Sequence, residues 1–219
     1  MIIKYKPNKQ KEEIKKEKES DKNMKSASEN ELTFEKAKYK DINDIVDLIY
    51  ITEPEPEEEW GYGSEKQRKQ TLKKLMKSKD NRFSIQHIIV ARKKHQLVGM
   101  ALLLEGKEIE KLTANSEKFV MQSQKNAWQK LGCFWNKVKG KFYFECDQDE
   151  FYIANIAIKP EYRGNGYAKL IFERAYQIAK QKGYQKASLI AKNDKLISFY
   201  RKLGYTLVNS KLRRMVISI

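Results

Sequence analysis

Of the 219 residues, 45 are Lys or Arg and 29 are Asp or Glu, a formal net charge of +16, and 40% are hydrophobic. This is apolar material for one well-filled core in a chain hardly long enough for two ordinary domains. No apolar run reaches membrane-spanning length and the Lys-dense start lacks the apolar core of a secretory signal, so the composition excludes a membrane helix and predicts a cytoplasmic protein.

Residues 1 to 31 mix Lys and Glu with few large apolar side chains and cannot bury enough surface to offset the entropy of ordering, so they read as a charged flexible tail, with the folded domain spanning 32–219. LTFEKA, from Leu32, reads as an edge strand. Asp41 is placed to cap a helix whose apolar positions Ile42, Ile45, Val46 and Ile49 follow a 3.6-residue period. The stretch ITEPEPEEEWGYG reads as a stiff acidic loop, and a helix from about Ser64 to Lys77 follows it. IQHIIVAR and LVGMALLLE, joined by the polar turn Lys93 to Gln96, read as a β-hairpin.

An amphipathic stretch from about Asn115 to Lys139, with Phe119, Trp128, Leu131, Trp135 and Val138 near helical spacing, reads as a helical insertion within 106–148. After it come FYIANIAI as a strand, Tyr167 to Gln181 as a helix closed by Gly183, and ASLIA as a strand. A short helix from Lys195 to Lys202 closed by Gly204 and two further strands complete the order. A hairpin followed by strand, helix, strand, helix and strand implies a mixed α/β sheet.

Several chemistries find no support. Cys133 and Cys146 form no C-x-x-C pair and His87 and His95 are far from both, so no metal site is expected and both thiols are expected to be reduced. The positive charge suits a polyanion or an anionic small ligand, but Lys is spread throughout, often beside Glu. Without an arginine-rich or alternating basic-aromatic cluster, nucleic acid is not the expected partner.

The informative segment is Arg163, Gly164, Asn165, Gly166, Tyr167 and Ala168, between an apolar strand and a long amphipathic helix. Glycines there let backbone approach a ligand, and the first helical turn offers unpaired N–H groups at a positive dipole end, which suits a pyrophosphate. A dinucleotide fingerprint needs Gly or Ala where Lys169 stands, and a P-loop needs a different glycine spacing. Taken alone, the two glycines are equally explained by a tight strand-to-helix turn.

These residues resemble the GNAT (GCN5-related) N-acetyltransferase family, whose signature (Gln or Arg)-x-x-Gly-x-(Gly or Ala) is met by Arg163, Gly166 and Ala168. NIAIKPEY resembles the family's fourth strand, and the stretch from Asn193 through Tyr200 to Gly204 and Tyr205 resembles its closing motif. Leu196 stands where a smaller residue is commoner. The resemblance is dense over residues 151 to 208. It implies a GNAT-like mixed, mostly antiparallel sheet flanked by helices, with the helical insertion before the fourth strand, and acetyl-CoA as co-substrate. It further implies that the amides from Arg163 to Ala168 hold the coenzyme pyrophosphate, that Ile156, Ala157 and Ile158 splay from the neighbouring strand to pair with the pantetheine arm, and that Asn193 supports that arm or the helix start. Tyr200 becomes the candidate general acid, because a phenol of pKa about 10 keeps its proton at neutral pH and can give it to the departing thiolate. Against these roles, Tyr200 also belongs to an apolar stripe with Leu196, Phe199 and Leu203, and Asn before a short helix is commonly a cap.

The sequence names no base for the amine; Glu150, Glu53 and Glu55 are candidates, and exposed carboxylates are commonly just solvated. In the family the loop after the first helix borders the acceptor. Here it is acidic and aromatic, so Glu53, Glu55 and Glu57 by charge and Trp60 or Tyr62 by cation-π contact suit a small cationic amine; a solvated acid run before a helix is the plain alternative. A protein N-terminus or lysine as acceptor, a non-catalytic acyl-CoA-binding module and a basic RNA-associated protein remain the competing functions. The oligomeric state, a homodimer included, is not legible.

Overall fold

The computed structural model describes residues 32–132 and 144–219. The charged stretch 1–31 and, in the insertion, Cys133, Trp135 and Val138 lie outside the described residues. Seven strands form one sheet: β1 (Thr33–Lys36), β2 (Ile88–Lys93), β3 (Gln96–Glu105), β4 (Glu150–Ile158), β5 (Lys186–Ile190), β6 (Thr206–Asn209) and β7 (Arg214–Ser218). Their spatial order is β1-β2-β3-β4-β5-β7-β6. β1 is an edge strand, and every neighbouring pair is antiparallel except β4 with β5.

The hairpin between β2 and β3 turns on Lys94 and His95, both at positive φ (48° and 69°), the conformation whose twist matches that of paired strands. The expected strand IQHIIVAR is shorter than its apolar run. Ile85–His87 form a 3₁₀ turn, and pairing begins at Ile88, so His87 lies outside the strand. Its half-buried imidazole has its pKa lowered, burial being the largest cause.

The helices are α1 (Ile42–Tyr50), α2 (Pro56–Trp60), α3 (Glu65–Lys77), α4 (Gly106–Ser123), α5 (Tyr167–Gln181) and α6 (Asp194–Lys202). α1 buries Ile42, Ile45, Val46, Leu48 and Ile49. Asp41 precedes it without capping it. Its carboxylate instead accepts from the Lys38 amide at 2.9 Å and pairs with Arg92 at 2.7 Å. Ser64 caps α3 through the Gln67 amide, and the Gln67 side chain reaches back to complete a capping box.

Two expectations need correction. The acidic stretch after α1 is not all loop, because Pro56 at the helix start, the acids Glu57 to Glu59 in its first turn and the buried Trp60 at its end form the short α2. The insertion's helix also starts earlier than Asn115. α4 leaves β3 directly at Gly106, burying Leu112, Ser116 and Val120, and ends at Ser123, after which a second helix begins over 127–132. Gly106 permits this junction: a Cβ there would lie 2.1 Å from the Asp147 carbonyl oxygen. Among the described residues no helix is long and apolar enough to cross a membrane.

Side chains alternate across the sheet into two cores. On one face Ile45, Trp60, Leu72, Met100, Leu102 and Tyr152 pack with α1 to α4. On the other, Phe151, Phe172, Ala175, Leu189 and Met215 pack with α5 and α6. At about 1.5–3 kcal/mol for each large apolar side chain buried, these two layers hold the sheet between its helices.

β4 positions the site. It pairs with β5 only through Glu150, Phe151 and Tyr152, opposite Lys186, Ala187 and Ser188. Beyond that, Ile156, Ala157 and Ile158 stay paired with Ala101, Met100 and Gly99 of β3, while β5 continues along β7. The register shifts between Leu102, opposite Asn155, and Leu103, opposite Ile153, leaving Ala154 as the extra residue of a bulge. A bulge bends and twists its strand, which carries β4 away from β5 and opens a wedge between them. At the root of the wedge the buried Glu150 carboxylate binds Arg214 of β7, both oxygens 2.6 Å from Nη2, and so clamps the two halves of the sheet.

Candidate active site

The turn from β4 into α5 is built by its own polar atoms. Arg163 Nε donates to the Ile158 carbonyl at 3.2 Å, and Asn165 Nδ2 donates to the carbonyls of Tyr162 (3.1 Å) and Arg163 (3.3 Å). Gly164 and Gly166 both take positive φ, 81° and 76°, and a Cβ on either would meet nothing within 4 Å. Glycine is required there by backbone conformation, and the space above the turn is open. Gly166 is the N-cap of α5 and offers no side chain, so the first-turn amides of Tyr167 and Ala168 face outward at the positive end of a 15-residue helix. Lys93 Nζ reaches Tyr167 Oη at 3.2 Å and adds a cation beside them. An open ring of amides with a cation alongside fits a phosphate group.

Ile156, Ile158, Tyr167 and Tyr200 all pack against the core of the α5 and α6 face. Tyr200, on α6, lies edge-on to Phe172 at 5.7 Å and 5.9 Å from the Tyr205 ring. Its hydroxyl has no hydrogen bond among the described residues, and burial pushes its pKa up to about 12. Asn193 caps α6, its Oδ1 accepting from the Leu196 amide at 3.0 Å.

The opposite face of the wedge is lined by the stretch between α1 and α3. Glu53 pairs with Lys192, just beyond β5, at 3.0 Å, whereas Glu55 and Glu57 are exposed. Trp60 does not present its ring to a ligand as expected: it is buried, stacked on Tyr50 at 5.3 Å and edge-on to Phe83 at 6.0 Å. Tyr62 is partly exposed, held by the Gln124 side chain through a 3.0 Å bond to its amide. Glu150 sits at the root of the wedge with both carboxylate oxygens on Arg214 Nη2.

Residues that sequence reasoning missed complete this face. Arg82 binds Glu145 through both terminal nitrogens, at 3.1 and 2.9 Å. Glu59 lies in the field of Arg82, Glu53, Glu145 and Lys192. Burial is the largest influence on it, and its pKa is raised. Thr52 Oγ1 gives its proton to the Ile49 carbonyl at 2.7 Å, so it can only accept from Asn155 Nδ2, also at 2.7 Å. That fixes the amide and leaves Asn155 Oδ1, at the bulge, buried without a partner among the described residues. Trp60 Nε1, Arg82 Nε and Ser188 Oγ are likewise buried without a partner among the described residues. One signal was legible: Asn155 is the lone amide in the apolar run FYIANIAI.

Residues 45–205 match the model of the acetyltransferase (GNAT) family. No curated protein matches the chain in sequence. Among solved structures, an N-acetyltransferase from Staphylococcus aureus Mu50 is 20% identical with a TM-score of 0.62, covering 84% of this chain and 100% of its own. The polyamine N-acetyltransferase of Drosophila melanogaster, an enzyme that forms N-acetylagmatine, is 13% identical at a TM-score of 0.54, covering 86% of this chain and all of its own. Arylalkylamine N-acetyltransferase 2 from Aedes aegypti is 17% identical at 0.50, covering 87% and 100%. At these identities the likeness is one of fold.

Proposed function

This chain belongs to the acetyltransferase (GNAT) family, and we propose that it transfers the acetyl group of acetyl-CoA to a small cationic amine by direct attack. The observation that carries this reading is the wedge between β4 and β5, with an open amide turn at Gly164 and Gly166 on one side and an acidic wall on the other.

Each residue has a role in that geometry. The amides of the turn from Arg163 to Ala168 bind the pyrophosphate, and the free edge of Ile156, Ala157 and Ile158 pairs with the amide-bearing pantetheine arm. Asn193 holds the start of α6 and so sets the position of Tyr200. Tyr200 gives its phenolic proton to the sulfur as the carbon–sulfur bond breaks, and recovers a proton from the newly acylated nitrogen. The balance is one amide, one free thiol and the one proton that the ammonium lost before attack. A phenol raised to about 12 stays protonated throughout the neutral range.

The acidic wall supports a cationic acceptor, and Drosophila melanogaster polyamine N-acetyltransferase, with this fold, acts on such a molecule. A peptide N-terminus or lysine is the alternative acceptor, and an acyl-CoA-binding module without turnover is the alternative of another class. Thiol release from acetyl-CoA against small amines, amino acids and peptides tests the reading. It predicts turnover with small cationic amines; turnover with peptides alone selects the first alternative, and binding without turnover the second.

A further inference from the structure

The stretch between α1 and α3 that lines the acceptor face is held at its start by the sheet. Thr52 accepts from Asn155 of β4, and Glu53 pairs with Lys192 just beyond β5. Its second half, α2, has five residues, too few to keep a helix or its direction without outside contacts. The burial of Trp60 is one such contact. The turn that follows, Gly61 to Gly63, needs another.

The insertion supplies it. Gln124, where α4 ends, is buried, and both ends of its amide are committed. Nε2 donates to the Val120 carbonyl of its own helix at 3.0 Å, and Oε1 accepts from the Tyr62 amide at 3.0 Å. The approach is close: Gly61 stands at φ 84°, and a Cβ there would lie 2.2 Å from Gln124 Nε2. Beyond Gln124 the chain turns, Asn126 Oδ1 accepting from the Gln129 amide at 2.9 Å, and the helix over 127–132 returns to the same turn. A Cβ at Gly132 would lie 2.5 Å from the Tyr62 ring. The insertion therefore grips Tyr62 twice, by its amide and by its ring.

We propose that the insertion is a specificity element of the acceptor site: Gln124 and Gly132 hold the turn after α2, and through it fix α2 and the acidic wall in the arrangement that binds the amine. Gln124 is thus a positioning residue for the acceptor, with no part in holding the coenzyme. This rests on the acyl-transfer reading and adds the device that shapes its acceptor side. Without the Gln124 oxygen the Tyr62 N–H, partly buried, is left unpaired, and the turn shifts to reach water. α2 follows it, and the fraction of molecules competent to bind the amine falls.

Gln124→Ala and Gly132→Ala test this with the amine that the wild type acetylates most efficiently. Gln124→Ala is expected to raise the amine KM about tenfold, the worth of one buried hydrogen bond, with kcat and the KM for acetyl-CoA unchanged. Gly132→Ala is the stricter variant. Alanine favours a helix over glycine, so a structural role alone predicts an equal or higher melting temperature with wild-type kinetics. The grip predicts the same selective rise in amine KM, and no further change when Gly132→Ala is added to Tyr62→Ala, which removes the ring. An unchanged amine KM in either variant, an equal rise in both KM values, or a fall in kcat alone overturns the proposal while acyl transfer stands. If no amine releases thiol with the wild type, the acyl-transfer reading falls, and hydrogen exchange decides the grip. Faster exchange over residues 56–63 in Gln124→Ala, with β4 still protected, supports it; unchanged exchange there overturns it.

Discussion

Asn155 and Thr52, 103 residues apart in sequence, meet through a 2.7 Å hydrogen bond that decides which end of the Asn155 amide faces the wedge. Because the Thr52 hydroxyl has already given its proton to Ile49, the amide nitrogen points at Thr52 and the oxygen is left for a donor. Asn155→Ala removes that acceptor. The expected result is about a tenfold loss in kcat/KM for the amine, the worth of one hydrogen bond, with the KM for acetyl-CoA unchanged. Steady-state kinetics with each substrate varied in turn checks it, and an equal loss for both substrates would assign Asn155 to the strand alone.

Tyr200→Phe keeps the ring packed against Phe172 and Tyr205 and removes only the hydroxyl. Turnover is expected to fall by about 10² to 10⁴-fold, with coenzyme affinity retained. The lower end is expected, because a thiol with pKa near 8.5 is a fair leaving group without help. Since burial raises the Tyr200 phenol to about 12, the wild type should keep its advantage through pH 10 and lose it only as the pH approaches that value. A pH profile of the wild-type to mutant ratio that collapses near neutrality would remove Tyr200 from proton transfer.

Gly166→Ala and Gly166→Glu separate strain from charge. Either residue must adopt φ of 76°, which costs about 1 kcal/mol or more, and neither Cβ meets protein atoms. Calorimetry with acetyl-CoA should therefore show binding weakened in the alanine variant and abolished in the glutamate variant, whose carboxylate repels a pyrophosphate. Wild-type affinity in a folded glutamate variant would take the cradle away from this turn.

The Glu150 and Arg214 pair is structural. Glu150→Ala leaves the buried guanidinium with the half-exposed Asp147 as its one remaining carboxylate and the Glu145 carbonyl on Nε, and breaking such a pair costs about 3–5 kcal/mol. Denaturant unfolding should show that loss. An unchanged midpoint would mean that the root of the wedge needs no clamp.

Much of this was legible in sequence wherever local rules and tertiary packing agree. α5 runs over the residues that its apolar period and Gly183 marked, and the glycines at 164 and 166 adopt the positive φ that their type suggests. The misses have physical causes. α2 was hidden because helix propensity in PEEEW is local, while the burial of Trp60 that fixes it depends on Tyr50 and Phe83. Asp41 had the residue type of a cap but found a stronger partner in Arg92, 51 positions away. Arg82 and Glu145 meet only in the fold, and nothing in their spacing announces it.

The central claim is that this wedge carries acetyl from coenzyme to amine. Its most direct test is the stoichiometry of thiol release and amine acetylation when the wild-type protein is mixed with acetyl-CoA and a small cationic amine. The account predicts amine-dependent, saturable thiol release, with one acetylated amine formed for every thiol. Tight binding of acetyl-CoA with no thiol released above the amine-free rate, across the whole panel of small amines, would contradict it.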